Sequence, residues 1–237
     1  MQFARPFLSL AAAATFAFGA APAFADTIPL TSANIGQTYT LNYDGYSSGT
    51  AVSGLTSSTT FTLTGISGNN YTFDYSLTNT TSSPLTSRVS SFGFNTDPNI
   101  AGATSTGAFS YTTLNSNYPN GIGTIDVCFK DAATGSCAGG GSGGVTTGGT
   151  GTGTFTLAFS QPISALTLGS FYVRYQSITG AGNITSASGT GTLTSTGSTS
   201  GGTVPEPGVV GLLGSALIAT AFLRRRKPKL ASKMAIA

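Results

Sequence analysis

The chain has 237 residues, of which only 7% are charged, with 33 glycines, two cysteines and no histidine or tryptophan. Without an imidazole there is no Ser–His–Asp or Cys–His relay, no HExxH zinc site and no histidine acid–base chemistry, and two cysteines cannot build a tetrathiolate zinc site. The chain is 39% apolar and 10% aromatic, enough for a core, so its low charge does not mark a disordered polymer.

Residues 1–25 read as a secretory signal peptide. Arg5 supplies the positive n-region and Phe7 to Ala21 an apolar h-region. Ala23-Phe24-Ala25 is a small-x-small cleavage site that leaves Asp26 as the new N-terminus. The partners this implies are a Sec translocon and a signal peptidase. Pro22 and the shortness of the apolar run argue against a first membrane-spanning helix.

Residues 26–194 are one domain by length, and their pattern is strand-like almost throughout. Apolar residues alternate with Thr or Ser in Tyr39–Tyr43, Thr60–Thr64, Tyr71–Leu77, Arg88–Phe94, Thr124–Phe129, Gly153–Phe159 and Phe171–Tyr175. Alternation buries one face of a strand and wets the other, and Thr, Tyr, Phe and Val suit a pleated sheet. Ser188–Thr194 reads as an edge strand. Turn signals fall at Asp44-Gly45, Gly68-Asn69-Asn70, Asp97-Pro98-Asn99 and Pro119-Asn120-Gly121. About eight short strands so spaced predict an all-β fold, an antiparallel β-sandwich of jelly-roll-like or immunoglobulin-like kind. No fixed repeat supports a solenoid.

Cys128 and Cys137 lie nine positions apart in an exported chain, so a structural disulfide is expected. Gly140-Gly141-Ser142-Gly143-Gly144 matches G-x-S-x-G in letters, but no His activates the serine, and Gly139–Gly144 reads as a flexible linker. Asn95-Thr96-Asp97-Pro98-Asn99 is rich in oxygen ligands, yet Asx turns account for it. Asp126 and Asp131 are the nearest thing to a carboxylate pair, and a glycosidase would need two acids facing each other across a cleft. Tyr111, Tyr118, Tyr172 and Tyr175 could line a sugar-stacking platform, although strand tyrosines are more often core. No catalytic residue, metal ligand or cofactor is expected.

The C-terminal region starts with a Gly/Ser/Thr linker, residues 195–203, followed by Val204-Pro205-Glu206-Pro207. The two prolines fix φ and remove donors, so the segment is extended and open to a protease. Glu206 is the only glutamate of the chain and offers one charged handle. An apolar run over 208–223 predicts a single transmembrane helix. The fifteen apolar residues 209–223 within it span roughly 22 Å, which falls short of a ~30 Å hydrocarbon core unless flanking residues snorkel. Arg224, Arg225, Arg226 and Lys227 then stop the span and set a cytoplasmic end, with residues 228–237 as a tail. This cluster is why the net charge is +3. Between Asp26 and Thr203 only Arg88, Lys130 and Arg174 face six aspartates, a net of −3 with no basic patch, which excludes phosphate-driven nucleic-acid binding.

Pro-Glu-Pro, a short apolar helix and an arginine cluster in that order resemble the PEP-CTERM sorting signal of Gram-negative bacteria. The resemblance implies recognition by an exosortase, a membrane-embedded transpeptidase-like enzyme, and cleavage near the motif. It also implies a host that makes extracellular polysaccharide and biofilm. The tail after Lys227 is longer than the usual few residues. In addition, Arg88-Val-Ser-Ser-Phe-Gly-Phe-Asn-Thr-Asp-Pro98, Val127-Cys-Phe-Lys130, the Cys137-Ala-Gly-Gly-Gly run and Phe171-Tyr-Val-Arg-Tyr-Gln-Ser177 resemble the cistern family of PEP-CTERM proteins. That family brings no activity or catalytic residue with it.

The reading is therefore a non-catalytic exported protein. It passes through an inner-membrane intermediate with its domain in the periplasm, and is then placed at the cell surface or in the exopolysaccharide matrix. A glycan-binding module tethered at the envelope is the alternative, and an enzyme working with Asp44, Asp74, Asp97, Asp126 or Asp131 alone is a third.

Overall fold

A computed structural model of the protein describes residues 26–198. Twelve strands carry almost all of its regular structure: β1 (Thr27–Leu30), β2 (Gln37–Ser47), β3 (Thr50–Ser67), β4 (Asn70–Asn79), β5 (Thr86–Asp97), β6 (Gly102–Ser105), β7 (Tyr111–Tyr118), β8 (Gly123–Lys130), β9 (Val145–Thr146), β10 (Thr150–Ala158), β11 (Leu166–Thr179) and β12 (Ser186–Ser198). Two single 3-10 turns, Ser32–Asn34 and Gly107–Phe109, interrupt them. Among the described residues no helix is long and apolar enough to cross a membrane. The expected span, 208–223, lies outside them, as do the signal peptide and the sorting motif.

The alternation that predicts strands is obeyed residue by residue. In β4, Tyr71, Phe73, Tyr75 and Leu77 are buried while Thr72, Asp74, Ser76 and Thr78 face outward. In β3, Leu55, Phe61 and Leu63 point inward along with Ser57 and Thr59. All pairings are antiparallel, in the order β6-β10-β4-β3-β2-β12-β11-β5-β8-β7, with β1 added on β11 and β9 on β5. The two layers of the expected sandwich are thus halves of one sheet, rolled until its inner faces meet. Phe155 of β10 and Phe129 of β8 pack with ring centroids 4.6 Å apart. Phe92 sits 4.9 Å from Phe129, and Phe73 4.8 Å from Phe155. The roll nearly closes where the end strands approach: Thr112 of β7 donates its hydroxyl to the Ala103 carbonyl of β6 at 3.2 Å. An immunoglobulin-like or jelly-roll sandwich has two separate sheets; here one continuous ladder replaces them.

Two local expectations are corrected. Ser188–Thr194 is not an edge: β12 lies between β11 and β2, paired to both, and extends through Ser198 into the expected linker. Gly189 and Gly191 reflect crowding: a Cβ at Gly189 would stand 2.9 Å from Val173, and one at Gly191 2.7 Å from Tyr43 and 2.9 Å from Phe171. Asp44-Gly45 is no turn either. It lies inside β2, at a register shift opposite β3, and the chain reverses at Ser48-Gly49 instead. The turns at Gly68-Asn69 and at Pro119-Asn120-Gly121 stand where expected.

Candidate functional site

The functional segment with the strongest sequence signal begins where the described residues end. Ser198 pairs with Gln37 at the last rung between β12 and β2, and Val204 follows six positions later. The expected signal-peptide junction also meets this strand. Asp26, the expected new N-terminus, accepts a hydrogen bond from Leu193 N at 2.7 Å through its carboxylate, at the register shift of β12. The sorting residues Val204, Pro205, Glu206 and Pro207, the stop residues Arg224, Arg225, Arg226 and Lys227, and the cleavage residues Ala23 and Ala25 lie outside the described residues.

Within the domain, the densest polar constellation is on the outer face of β5 and β11, under the segment 131–144. Arg88 of β5 donates to Asp131 Oδ2 at 2.8 Å, to the Gly143 carbonyl at 3.0 Å and to Ser177 Oγ at 3.3 Å. It also reaches the Gly140 carbonyl and Gln176 Oε1. Asp131 answers with its second oxygen, which accepts from Gly140 N at 2.6 Å. Both side chains of the ion pair are at least nine-tenths buried. Ser90 Oγ and Gln176 Nε2 both donate to the Ala138 carbonyl at 2.7 Å. The glycine run is therefore a seated loop, not a flexible linker. Gly139 (φ +77°) has the left-handed backbone, and a Cβ there would lie 2.5 Å from the Ser90 carbonyl.

The expected disulfide is present. Cys128 and Cys137 are bonded across Cα atoms 5.7 Å apart, closing the loop that carries Asp131. Both cysteines join Tyr118 and Ile125 in a small second core outside the sheet. By the chain-entropy relation a closed loop of about ten residues is worth about 2.5–3 kcal/mol. Cys128→Ser with Cys137→Ser should thus lower the melting temperature by roughly 5–10 °C, measurable by calorimetry. A shift under 1 °C would show that the loop is held by its hydrogen bonds alone.

The two other cations of the domain are buried as well. Lys130 donates to Thr113 Oγ1 and the Thr134 carbonyl, and burial pushes its ammonium below the usual lysine range. Arg174, on the same face as Arg88, is 8% exposed, and its Nε and Nη1 have no partner. Burial depresses its basicity, and a guanidinium left unpaired there subtracts from stability. All three cations are hidden, so the exposed charged side chains of the described residues are acids only: Asp44, Asp74 and Asp97.

The remaining sequence candidates do not come together. Asn95 turns its Oδ1 onto Asp126 N at 3.1 Å, and Asp126 Oδ2 accepts from Thr96 N at 2.7 Å. These side chains stitch β5 to β8 and do not form an oxygen cage. Asp126 and Asp131 thus have separate backbone and guanidinium partners. Tyr175 is buried in the core against Ser57, and Tyr118 lies fully buried beneath a tilted contact with half-buried Tyr172. Tyr111 alone of the four is exposed. Sequence reasoning missed the Arg88–Asp131 seat, for which the available signal was the scarcity of cations: three in a whole domain.

An antiparallel β domain thus hands its last strand directly to a C-terminal segment of distinct chemistry. Residues 203–227 match the family model described as the PEP-CTERM protein-sorting motif. The chain thereby carries the PEP-CTERM sorting domain, a signal that implies export and exosortase processing. No curated protein and no solved structure matches it.

Proposed function

We propose that this is a non-catalytic bacterial surface or extracellular-matrix protein whose β domain is delivered by its C-terminal signal. The signal peptide is removed between Ala25 and Asp26 after Sec export. The span at 208–223 holds an inner-membrane intermediate with the domain on the periplasmic side. An exosortase then cuts near Val204–Gly208 and releases the domain to the cell surface or to exopolysaccharide, as in biofilm. The observation that carries this reading is the sorting motif at 203–227, placed immediately beyond a strand ending at Ser198. The non-catalytic part is supported by the occupied carboxylates of Asp126 and Asp131. Kinship with the cistern family belongs to the same reading and rests on the sequence stretches alone. The alternative of a glycan-binding module draws less support, since the four candidate tyrosines do not form an exposed strip.

Intact mass of the exported protein, in its host and in a strain without exosortase, tests the proposal. Loss of residues 1–25 with truncation near Val204–Gly208 should occur only where the exosortase is present. Pro205→Ala with Glu206→Ala should leave the full-length form accumulating in the membrane. Processing of that variant at the wild-type rate would overturn the proposal, and a C-terminus retained through Ala237 in both strains would reduce the span to a plain anchor.

A further inference from the structure

We propose that one pole of the β domain, built from the loops and strand ends at 31–36, 65–70, 97–101 and 159–165, is the face held against the membrane before processing. This rests on the proposed span at 208–223 and adds to it an orientation. The argument starts from register. β12 runs from Ser186 at one pole to Ser198 at the other, where it pairs with Gln37 at the start of β2. The other loops reach that pole because Leu166 follows the 159–165 loop in β11, Asp97 pairs with Thr167, and the β3–β4 turn lies beyond Thr38↔Thr62.

From Ser198 the chain has six steps to Val204 and ten to Gly208, where the span begins. At most about 3.5 Å per residue is available to a fully extended chain. The pole therefore lies within about 21 Å of the sorting motif and about 35 Å of the span, whatever path the intervening residues take. The opposite pole is a further ~33 Å away along the strands.

The composition of the exit pole fits that placement. Ile35, 47% exposed, is one of two large hydrophobic side chains exposed among the described residues, and it sits two positions before Gln37. Ile66 and Ile163 of the same pole are half-buried, packed against the core, with Pro98 and Pro162 exposed. Asp97 is the pole's one charged residue, and no cation is present there to seek anionic headgroups. The tether, not electrostatic attraction, holds this face to the bilayer. The exosortase consequently meets a folded domain whose nearest surface is this one.

The test uses the full chain with Pro205→Ala and Glu206→Ala, reconstituted in vesicles of phosphatidylethanolamine and phosphatidylglycerol. Single cysteines at Ile35→Cys and Ser164→Cys on the exit pole, and Asn183→Cys on the opposite pole, carry an environment-sensitive fluorophore. Headgroup nitroxide lipids are the quencher. Quenching at positions 35 and 164 should exceed that at 183 by at least threefold. A twenty-residue Gly/Ser insertion after Ser198 should abolish the contrast. Equal quenching at both poles, stronger quenching at 183, or a contrast indifferent to the insertion would overturn the proposal. Co-flotation of the unlabelled chain with the vesicles reads the span separately. A chain that fails to float overturns the anchor, whereas one that floats with no contrast overturns the orientation.

Discussion

Asp131→Asn should cost about 3–5 kcal/mol of folding stability, the range for breaking a buried ion pair by removing one partner. The substitution leaves the shape of the side chain nearly unchanged but strips the charge that Arg88 needs. The guanidinium would then sit in a nine-tenths buried site with only carbonyl, amide and hydroxyl oxygens for company. The same change weakens the seat of Gly140, whose N–H the carboxylate accepts at 2.6 Å. Urea unfolding with the disulfide intact measures the loss. The double variant Arg88→Met/Asp131→Leu should recover part of it, since no uncompensated charge remains. A loss below 1 kcal/mol for Asp131→Asn would mean that the loop is seated by the disulfide and its neighbours without the ion pair.

Alkali should unfold the domain steeply above about pH 10. Burial holds the phenols of Tyr43, Tyr118 and Tyr175 well above the ordinary tyrosine value of 10.0. A hydrogen bond to Ser57 Oγ at 2.7 Å and one to Ser91 Oγ at 3.2 Å offset little of that for Tyr175 and Tyr118. A raised native value means that the folded state keeps a proton the unfolded chain releases. The stabilisation is complete below pH 10 and is lost as pH rises beyond it. At 1.36 kcal/mol per group and pH unit, three such phenols give a loss of about 4 kcal/mol per unit. Lys130 acts in the opposite sense: its lowered native value makes stability rise with pH until the unfolded lysine deprotonates near 10.5. One lysine does not balance three tyrosines. Tyrosinate absorbance followed together with circular dichroism checks this. Free ionisation of all tyrosines near pH 10 with the β signal intact would contradict it.

The strands were legible because alternation is a local property. Tyr71 to Leu77 needs no knowledge of its partners to declare one buried face. Neighbour identity is not local, which is why Ser188–Thr194 reads as an edge although it fills the middle of the sheet. Gly189 and Gly191 weaken the strand signal while making room for Val173, Tyr43 and Phe171. The glycine run at 139–144 misleads for a related reason. Composition alone does not distinguish a glycine chosen for freedom from one chosen because Ser90 leaves no space for a side chain. The Arg88–Asp131 pair spans 43 positions, beyond any spacing rule, and short β1, β6 and β9 carry too few residues to show a period. The disulfide was readable from compartment and spacing together. The C-terminal motif was readable because its parts are contiguous.

The interior position of β12 sets the order in which an exported chain acquires its structure. A chain threaded through a membrane channel N-terminus first presents β2 long before residues 186–198 emerge, and β11 just ahead of them. Until then both strands display unpaired N–H and C=O rows, and the roll has no seam joining its halves. The domain is thus completed only by the last of its own strands to leave the channel, a few residues ahead of the sorting signal. The chain stays extensible during transit, and any product truncated before β12 is left with two adhesive edges.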